Sequence, residues 1–253
     1  MKARIKDQMM QDAPPPPPII DCGKHAFFLD FDGTLAEIVA RPEEAQITAH
    51  MRDLIGRLVD RTDGAVAVVS GRSLADVDRL MSPLVLPVAG SHGSELRGYD
   101  GAQQTDTDRK IDPDALQRIT GFARQTGLQA EQKPGSAALH YRSAPDRAQD
   151  SIALIDDLAA TDDRYRAVHG KMVSELALCA HDKGTALAHF ANSAPFAGRV
   201  PVMVGDDVTD EDGFRRAQAL GGMGIKIGAG ETIAAHRLNS IGAFSRWLED
   251  IIR

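Results

Sequence analysis

Asp30 and Asp32 stand one residue apart, after the apolar run Phe27-Phe28-Leu29 and before Gly33-Thr34. Two carboxylates so close repel each other unless a cation or a proton relieves the charge. They are expected to point to opposite sides of an extended chain and so to serve different ends, one attacking a substrate and the other moving a proton. Read alone, the pair is more simply a solvated turn, since Asp and Gly are common turn formers. Three further clusters argue against that reading: Ser70 before Gly71-Arg72, Lys183 before Gly184, and Asp206-Asp207 followed by Asp210, Glu211 and Asp212. Together these residue types fit phosphoryl transfer. Mg²⁺ takes a hard oxygen shell, with one or two carboxylates beside waters and a substrate phosphate. Asp30 and Asp206 are the candidate carboxylate ligands, Asp32 adds its backbone carbonyl, and Asp207 and Asp210 are candidate outer ligands. Ser70, Gly71, Thr34 and Lys183 are the candidates to hold phosphate oxygens, because the transition state spreads charge over them. Asp30 is the candidate in-line nucleophile, giving an aspartyl-phosphate. Asp32 would protonate the leaving alkoxide and then activate water.

These groups need elements that bring them to one place. Residues 26–30 read as a buried parallel strand, since the run is apolar on both faces. Residues 65–69, 84–89, 200–204 and 222–227 read the same way. Between them lie helical patterns. Thr48 caps a helix with Met51, Leu54, Ile55, Leu58 and Val59 on one stripe, and Ser73 caps another with Leu74, Val77 and Leu80 inward. Further helices run from Lys183 to Phe190, around Phe214, and over 241–251. Strands alternating with helices predict a doubly wound α/β fold with a parallel sheet, whose strand ends collect ligands along one edge. The texture changes between residues 105 and 110. A helix over 112–126, strands over 128–132 and 137–142, a helix over 146–160 and strands over 165–169 and 172–178 predict a small inserted α+β unit.

Bulk properties narrow the function. The chain has 253 residues and a formal net charge of −7, which argues against a nucleic-acid or anionic-membrane binder. No apolar run approaches the roughly 20 residues of a membrane helix. The two cysteines, Cys22 and Cys179, lack metal-ligand spacing and suit a reducing compartment, so a cytoplasmic location is expected. Cys179 lies in an apolar run and is expected in the core. Pro14 to Pro18 predict a disordered arm or spacer over residues 1–23.

The four clusters, in this order and spacing, resemble the four motifs of the haloacid-dehalogenase-like phosphatases. That resemblance implies a Rossmannoid core over 24–107 and 180–253, a C2-type cap over 108–179, and Mg²⁺ as cofactor. A finer resemblance is to the trehalose-6-phosphate phosphatases. Gly90-Ser91-His92-Gly93-Ser94-Glu95 and Gly205-Asp206-Asp207-Val208-Thr209-Asp210-Glu211 are similar to that family's motifs. In the cap, so are Glu131-Gln132-Lys133, His140-Tyr141-Arg142, His169-Gly170-Lys171 and Glu175. The chain departs from the pattern in carrying Leu176-Ala177-Leu178 where the family has an Arg-Pro pair. The resemblance implies that Lys133, Glu175 and Arg142, with His92 from the neighbouring loop, contact the sugar of trehalose 6-phosphate. Two alternatives accompany it: another sugar phosphate, such as sucrose phosphate or mannosyl-phosphoglycerate, or a non-catalytic regulatory homologue. The second would be marked by loss of Asp30, Asp32, Lys183 or Asp206, and all four are present.

Overall fold

The computed structural model describes residues 14–39, 41–105, 110–133, 135–170, 172–179 and 182–253; the side chains of Pro42, His92 and Thr105 are also outside the description. The chain opens into β1 (His25–Leu29), α1 (Ala49–Arg61), β2 (Val66–Val69), α2 (Leu74–Met81), β3 (Val88–Gly90), β4 (Glu95–Arg97) and β5 (Gln103–Thr105). A second unit follows: α3 (Pro113–Thr126), β6 (Gln129–Lys133), β7 (Ser136–His140), α4 (Ala148–Ala159), β8 (Tyr165–Gly170) and β9 (Val173–Leu178). The first unit then resumes with α5 (Lys183–Ala191), β10 (Val200–Gly205), α6 (Asp210–Ala219), β11 (Met223–Ile227), β12 (His236–Leu238) and α7 (Ile241–Ile251).

The larger sheet runs β12-β11-β10-β1-β2-β3-β4-β5. It is parallel from β12 to β3, and β4 and β5 continue it antiparallel. β1 lies at its centre and is buried on both faces, as strands covered by helices on two sides must be. Phe27 and Leu29 join one core with Leu54, Leu58, Val77, Phe244 and Leu248 from α1, α2 and α7. Ala26 and Phe28 join the other with Leu187, Phe190 and Phe214 from α5 and α6. Phe28 lies against Phe196 and Phe190, with ring centroids 5.4 and 6.4 Å away. A ring this enclosed is worth about 3–5 kcal/mol against Ala. The helices start where their caps direct. Thr48 Oγ1 accepts from the Met51 N–H, and Ser73 Oγ accepts from the Asp76 N–H. The Asp182 and Thr185 side chains close a reciprocal capping box at the start of α5.

The inserted unit is an antiparallel sheet in the order β6-β7-β9-β8. α3 and α4 cover one face, burying Ile119, Ile155 and Leu158 against Leu139, Leu176 and Leu178. The other face carries the residues of opposite parity, and on it Glu131, Ala138, Glu175 and Val168 form one cross-strand row.

Four expectations are corrected. The strand expected over 84–89 forms only at Val88–Gly90, because Pro83 and Pro87 lack the N–H a ladder needs. β4, β5 and β12 were not expected; each has three residues, and β4 and β5 carry too little apolar alternation to read as strands. Cys179 is exposed, one residue past the end of β9. The arm is laid on the core over its second half. Pro17 is buried, the Pro15 carbonyl accepts from the Arg237 N–H, and the Pro18 carbonyl accepts from Trp247 Nε1 at 2.9 Å. Residues 1–13 lie outside the described residues. Among the described residues no helix is long and apolar enough to cross a membrane.

Candidate active site

The C-terminal ends of β10, β1 and β2 are neighbours, and each delivers one polar cluster. Asp30 follows β1, is buried, and donates its N–H to the Val204 carbonyl of β10 at 2.9 Å. The chain then turns tightly, with the N–H groups of Leu35 and Ala36 on the Phe31 carbonyl. Gly33 adopts φ +83° in this turn, and a Cβ there would lie 2.2 Å from Asp206 Cγ. That glycine is therefore what lets the Asp206 carboxylate stand beside β1.

Lys183, the first residue of α5, is the hub. Its buried Nζ donates to Asp30 Oδ1 and to Asp210 Oδ1, both at 2.6 Å. Asp210 is fully buried, and its Oδ2 accepts from the N–H groups of Asp206 and Asp207, each at 2.9 Å. Both Asp210 oxygens thus have protein partners, and through them it braces the 206–207 loop. Asp207 lies near the inserted unit: a Cβ on Gly170, the last residue of β8, would lie 3.1 Å from its Oδ2. Carboxylate oxygens of Asp30, Asp206 and Asp210 all lie within 4.8 Å of one another. Burial pushes the Asp30 carboxyl well above the usual range; Lys183 opposes this, and the charges of Asp210 and Asp206 add to it. Burial works against the Lys183 ammonium, but Asp210 and Asp30 outweigh it and hold its pKa above the ordinary lysine value.

Asp32 takes a different partner from Asp30, and strand alternation does not separate the two, since it would put residues two apart on one face. β1 ends at Leu29, and the following turn aims Asp32 at Arg72. Arg72 grips both Asp32 oxygens, Nε to Oδ2 and Nη2 to Oδ1, each at 2.7 Å, and lies over the Phe31 ring. Ser70 is buried just past β2, and its Oγ accepts from the Arg72 N–H at 3.1 Å, with Gly71 between them in the turn. Thr34 Oγ1 is fully buried and has no hydrogen-bond partner among the described residues. The Gly90–Glu95 motif braces the start of α2: Glu95 Oε2 accepts from Ser91 Oγ at 2.6 Å and from the Leu74 N–H at 3.3 Å. The His92 side chain lies outside the described residues.

The helix-free face of the inserted sheet turns toward this edge. Arg166 on β8 pairs with Asp212 on α6 at 2.6 Å. Arg166 shares that face with Glu175 by the two-residue period, and Glu175 is buried. Glu131 accepts from Lys133 at 3.3 Å and pairs with His140 at 2.8 Å on the same face. His140 hydrogen bonding lowers the Glu131 pKa, against its burial, and Lys133 assists. Arg142 is placed differently from the other cap residues: it is exposed, and its Nη1 donates to the Val39 carbonyl on the loop after the Asp30 turn.

Sequence reasoning missed Lys226. This lysine is buried in β11 and donates to the Asp206 carbonyl at 2.6 Å. The signal was available, since it interrupts an apolar strand. The Arg166–Asp212 pair was also missed, because no local pattern links residues that far apart.

The trehalose-phosphatase family model matches residues 28–241. A protein of Escherichia coli (strain K12) named trehalose-6-phosphate phosphatase is 38% identical over 90% of this chain and 86% of its own length. One of Sinorhizobium fredii (strain NBRC 101917 / NGR234), named probable trehalose-phosphate phosphatase, is 37% identical over 82% of this chain and 79% of its own length. The fold is similar to the solved C-terminal domain of C. albicans trehalose-6-phosphate phosphatase, with a TM-score of 0.84 over 95% of this chain and 99% of that one, at 18% identity.

Proposed function

The chain belongs to the trehalose-phosphatase family, and on that premise we propose that it hydrolyses trehalose 6-phosphate to trehalose and phosphate, with Mg²⁺ and through an aspartyl-phosphate on Asp30. The observation that carries this reading is the buried Lys183 ammonium bonded at 2.6 Å to both Asp30 and Asp210, with the Asp206 carboxylate beside them. Three buried acids gather around the Lys183 ammonium, and a hard divalent cation fits that oxygen donor set. Asp30 and Asp206 would hold it through carboxylates, and Asp32 through its backbone carbonyl. When bound, Mg²⁺ supplies neutralisation of phosphate charge.

Lys183 holds Asp30 Oδ1, which leaves Oδ2 to attack phosphorus in line with the sugar oxygen. The new Oδ2–P bond forms as the P–O bond to the sugar breaks. Asp32 gives the leaving alkoxide its proton. Asp32 then takes a proton from water, whose oxygen attacks phosphorus and frees Asp30 and inorganic phosphate. In the arrangement seen, Arg72 holds both Asp32 oxygens, so one arm of that fork opens for each transfer. The Thr34 hydroxyl, which has no hydrogen-bond partner among the described residues, holds the phosphate oxygens together with Ser70 Oγ, the Gly71 N–H and Lys183. Lys133, Glu175, Arg142 and His92 read the sugar, and the cap excludes bulk water while they do so. On this reading the reaction runs in the cytoplasm, a reducing compartment that suits the free thiols of Cys22 and Cys179.

The test is phosphate release from trehalose 6-phosphate, sucrose phosphate and mannosyl-phosphoglycerate with Mg²⁺, beside an Asp30→Asn control. A strong preference for trehalose 6-phosphate, abolished by chelator and in the control, is expected. Equal slow release from all three would keep the chemistry and discard the sugar assignment. No release from folded protein loaded with Mg²⁺ would favour a non-catalytic homologue.

A further inference from the structure

Lys226 is a buried charge that the chemistry above leaves unused. It sits in β11 between Ile225 and Ile227, is 4% exposed, and lies directly across from Gly205 in the β10–β11 register. An ammonium has three donors, and among the described residues its one acceptor is the Asp206 carbonyl, at 2.6 Å. No carboxylate of the described residues pairs with it. Burying an ammonium with so little compensation is unfavourable, so its presence on an otherwise apolar strand calls for a physical reason.

The reason lies in one peptide group. The Asp206 carbonyl and the Asp207 N–H belong to the same planar unit. Lys226 holds its oxygen, and Asp210 Oδ2 holds its hydrogen at 2.9 Å. Asp210 in turn is held by Lys183, which also holds Asp30. A continuous chain of charge-assisted bonds therefore runs from Lys226 through this peptide to Asp30. With its plane fixed at both ends, the peptide fixes the direction in which the Asp206 side chain leaves the backbone. That direction lays the carboxylate against Gly33, where no Cβ could fit.

We infer that Lys226 is a positioning residue for the cation site: by clamping the 206–207 peptide it sets the Asp206 carboxylate beside Asp30 as a ligand. The inference rests on the reading that these two acids hold Mg²⁺. It is tested by calorimetric titration of Mg²⁺ into substrate-free protein, with the Mg²⁺-induced rise in melting temperature as a second readout. Lys226→Met is expected to raise the Mg²⁺ Kd about tenfold or more, the range for lost support behind a metal ligand. Lys226→Gln keeps a shorter N–H donor and is expected to raise it about threefold, an intermediate loss on the same scale. Ile225→Ala, a neighbour with no polar atom, is expected to lose stability and keep the wild-type Kd. Wild-type affinity or tighter binding in both Lys226 variants would overturn the inference, and so would an equal loss in Ile225→Ala. If Lys226→Met does not fold, Lys226→Gln decides by the same criterion. A wild-type protein that binds no Mg²⁺ in either readout would instead overturn the underlying cation reading.

Discussion

The strand-end site and the open face of the inserted sheet both gather charge, and they hold it in opposite ways. At the strand ends, Asp30, Asp206, Asp210 and Lys183 are all buried. Asp210 is gripped by two backbone N–H groups as well as by Lys183, so its place is set by the loop itself. On the cap face, the Glu131 side chain is 37% exposed and its partners are the side chains of Lys133 and His140. Backbone-anchored, buried charges cannot re-aim without local unfolding. Side-chain pairs half in water exchange partners at little cost. On the proposed function the difference would give the two regions different work: reaction geometry would be built into the core, and the cap would keep groups that a sugar's hydroxyls can draw away from one another.

Removing the hub gives the largest expected effect. Lys183→Met would leave Asp30 and Asp210 buried without their counter-charge, a change that typically costs about 3–5 kcal/mol. Turnover should also fall about 100- to 1000-fold, the usual loss when a transition-state donor is removed. Urea denaturation and phosphate release measure the two. Asp30→Asn should have the opposite effect on stability. A carboxyl whose folded pKa is raised costs the folded state stability while it is ionised, and that cost fades as pH falls through the folded value. In chelator at neutral pH, the Asn variant should melt higher than wild type by a few degrees, the shift expected for about 1 kcal/mol in a chain of this size. Wild-type stability for Lys183→Met, or a lower melting point for Asp30→Asn, would show that the strand-end charges are not the coupled unit described.

The same contrast explains what could be read in the sequence. The core was legible because its signals are local: an apolar run, then an acid at the strand end, then a capped helix. Asp30, Ser70, Lys183 and Asp206 each carry such a signal. The Arg72–Asp32 fork spans 40 residues and the Arg166–Asp212 pair 46, and nothing local specifies either. Lys226 was hidden differently, since its strand was read as a whole and its one polar residue passed over. The docked arm was hidden because Pro15 and Pro18 contribute carbonyls, which every residue has, to partners more than 200 positions away.

Cap substitutions should separate the two regions in kinetics. Glu175→Ala and Lys133→Ala are each expected to lower kcat/KM for trehalose 6-phosphate about 10- to 100-fold, the worth of one hydrogen bond to a charged group. Release from p-nitrophenyl phosphate, which has no sugar to read, should stay within about twofold on the same reasoning. Equal losses on both substrates would place these residues with the chemistry and dissolve the division of labour.

The smallest effect concerns the cap's own acid. Glu131 has its pKa lowered, first by His140 hydrogen bonding, against its burial, and then by Lys133. A lowered carboxylate contributes stability above its unfolded pKa, near 4.3, and loses it as pH falls through the lower folded value. The side chain is more than a third exposed, so screening keeps the contribution below about 1 kcal/mol. Denaturant titrations of wild type and Glu131→Gln from pH 7 to pH 3 measure it. Wild type should be slightly the more stable at pH 7, and the two curves should converge below pH 4. A gap that does not narrow at all as pH falls would mean that Glu131 is held by packing, as the core acids are, and that the cap face is less adaptable than its exposure implies.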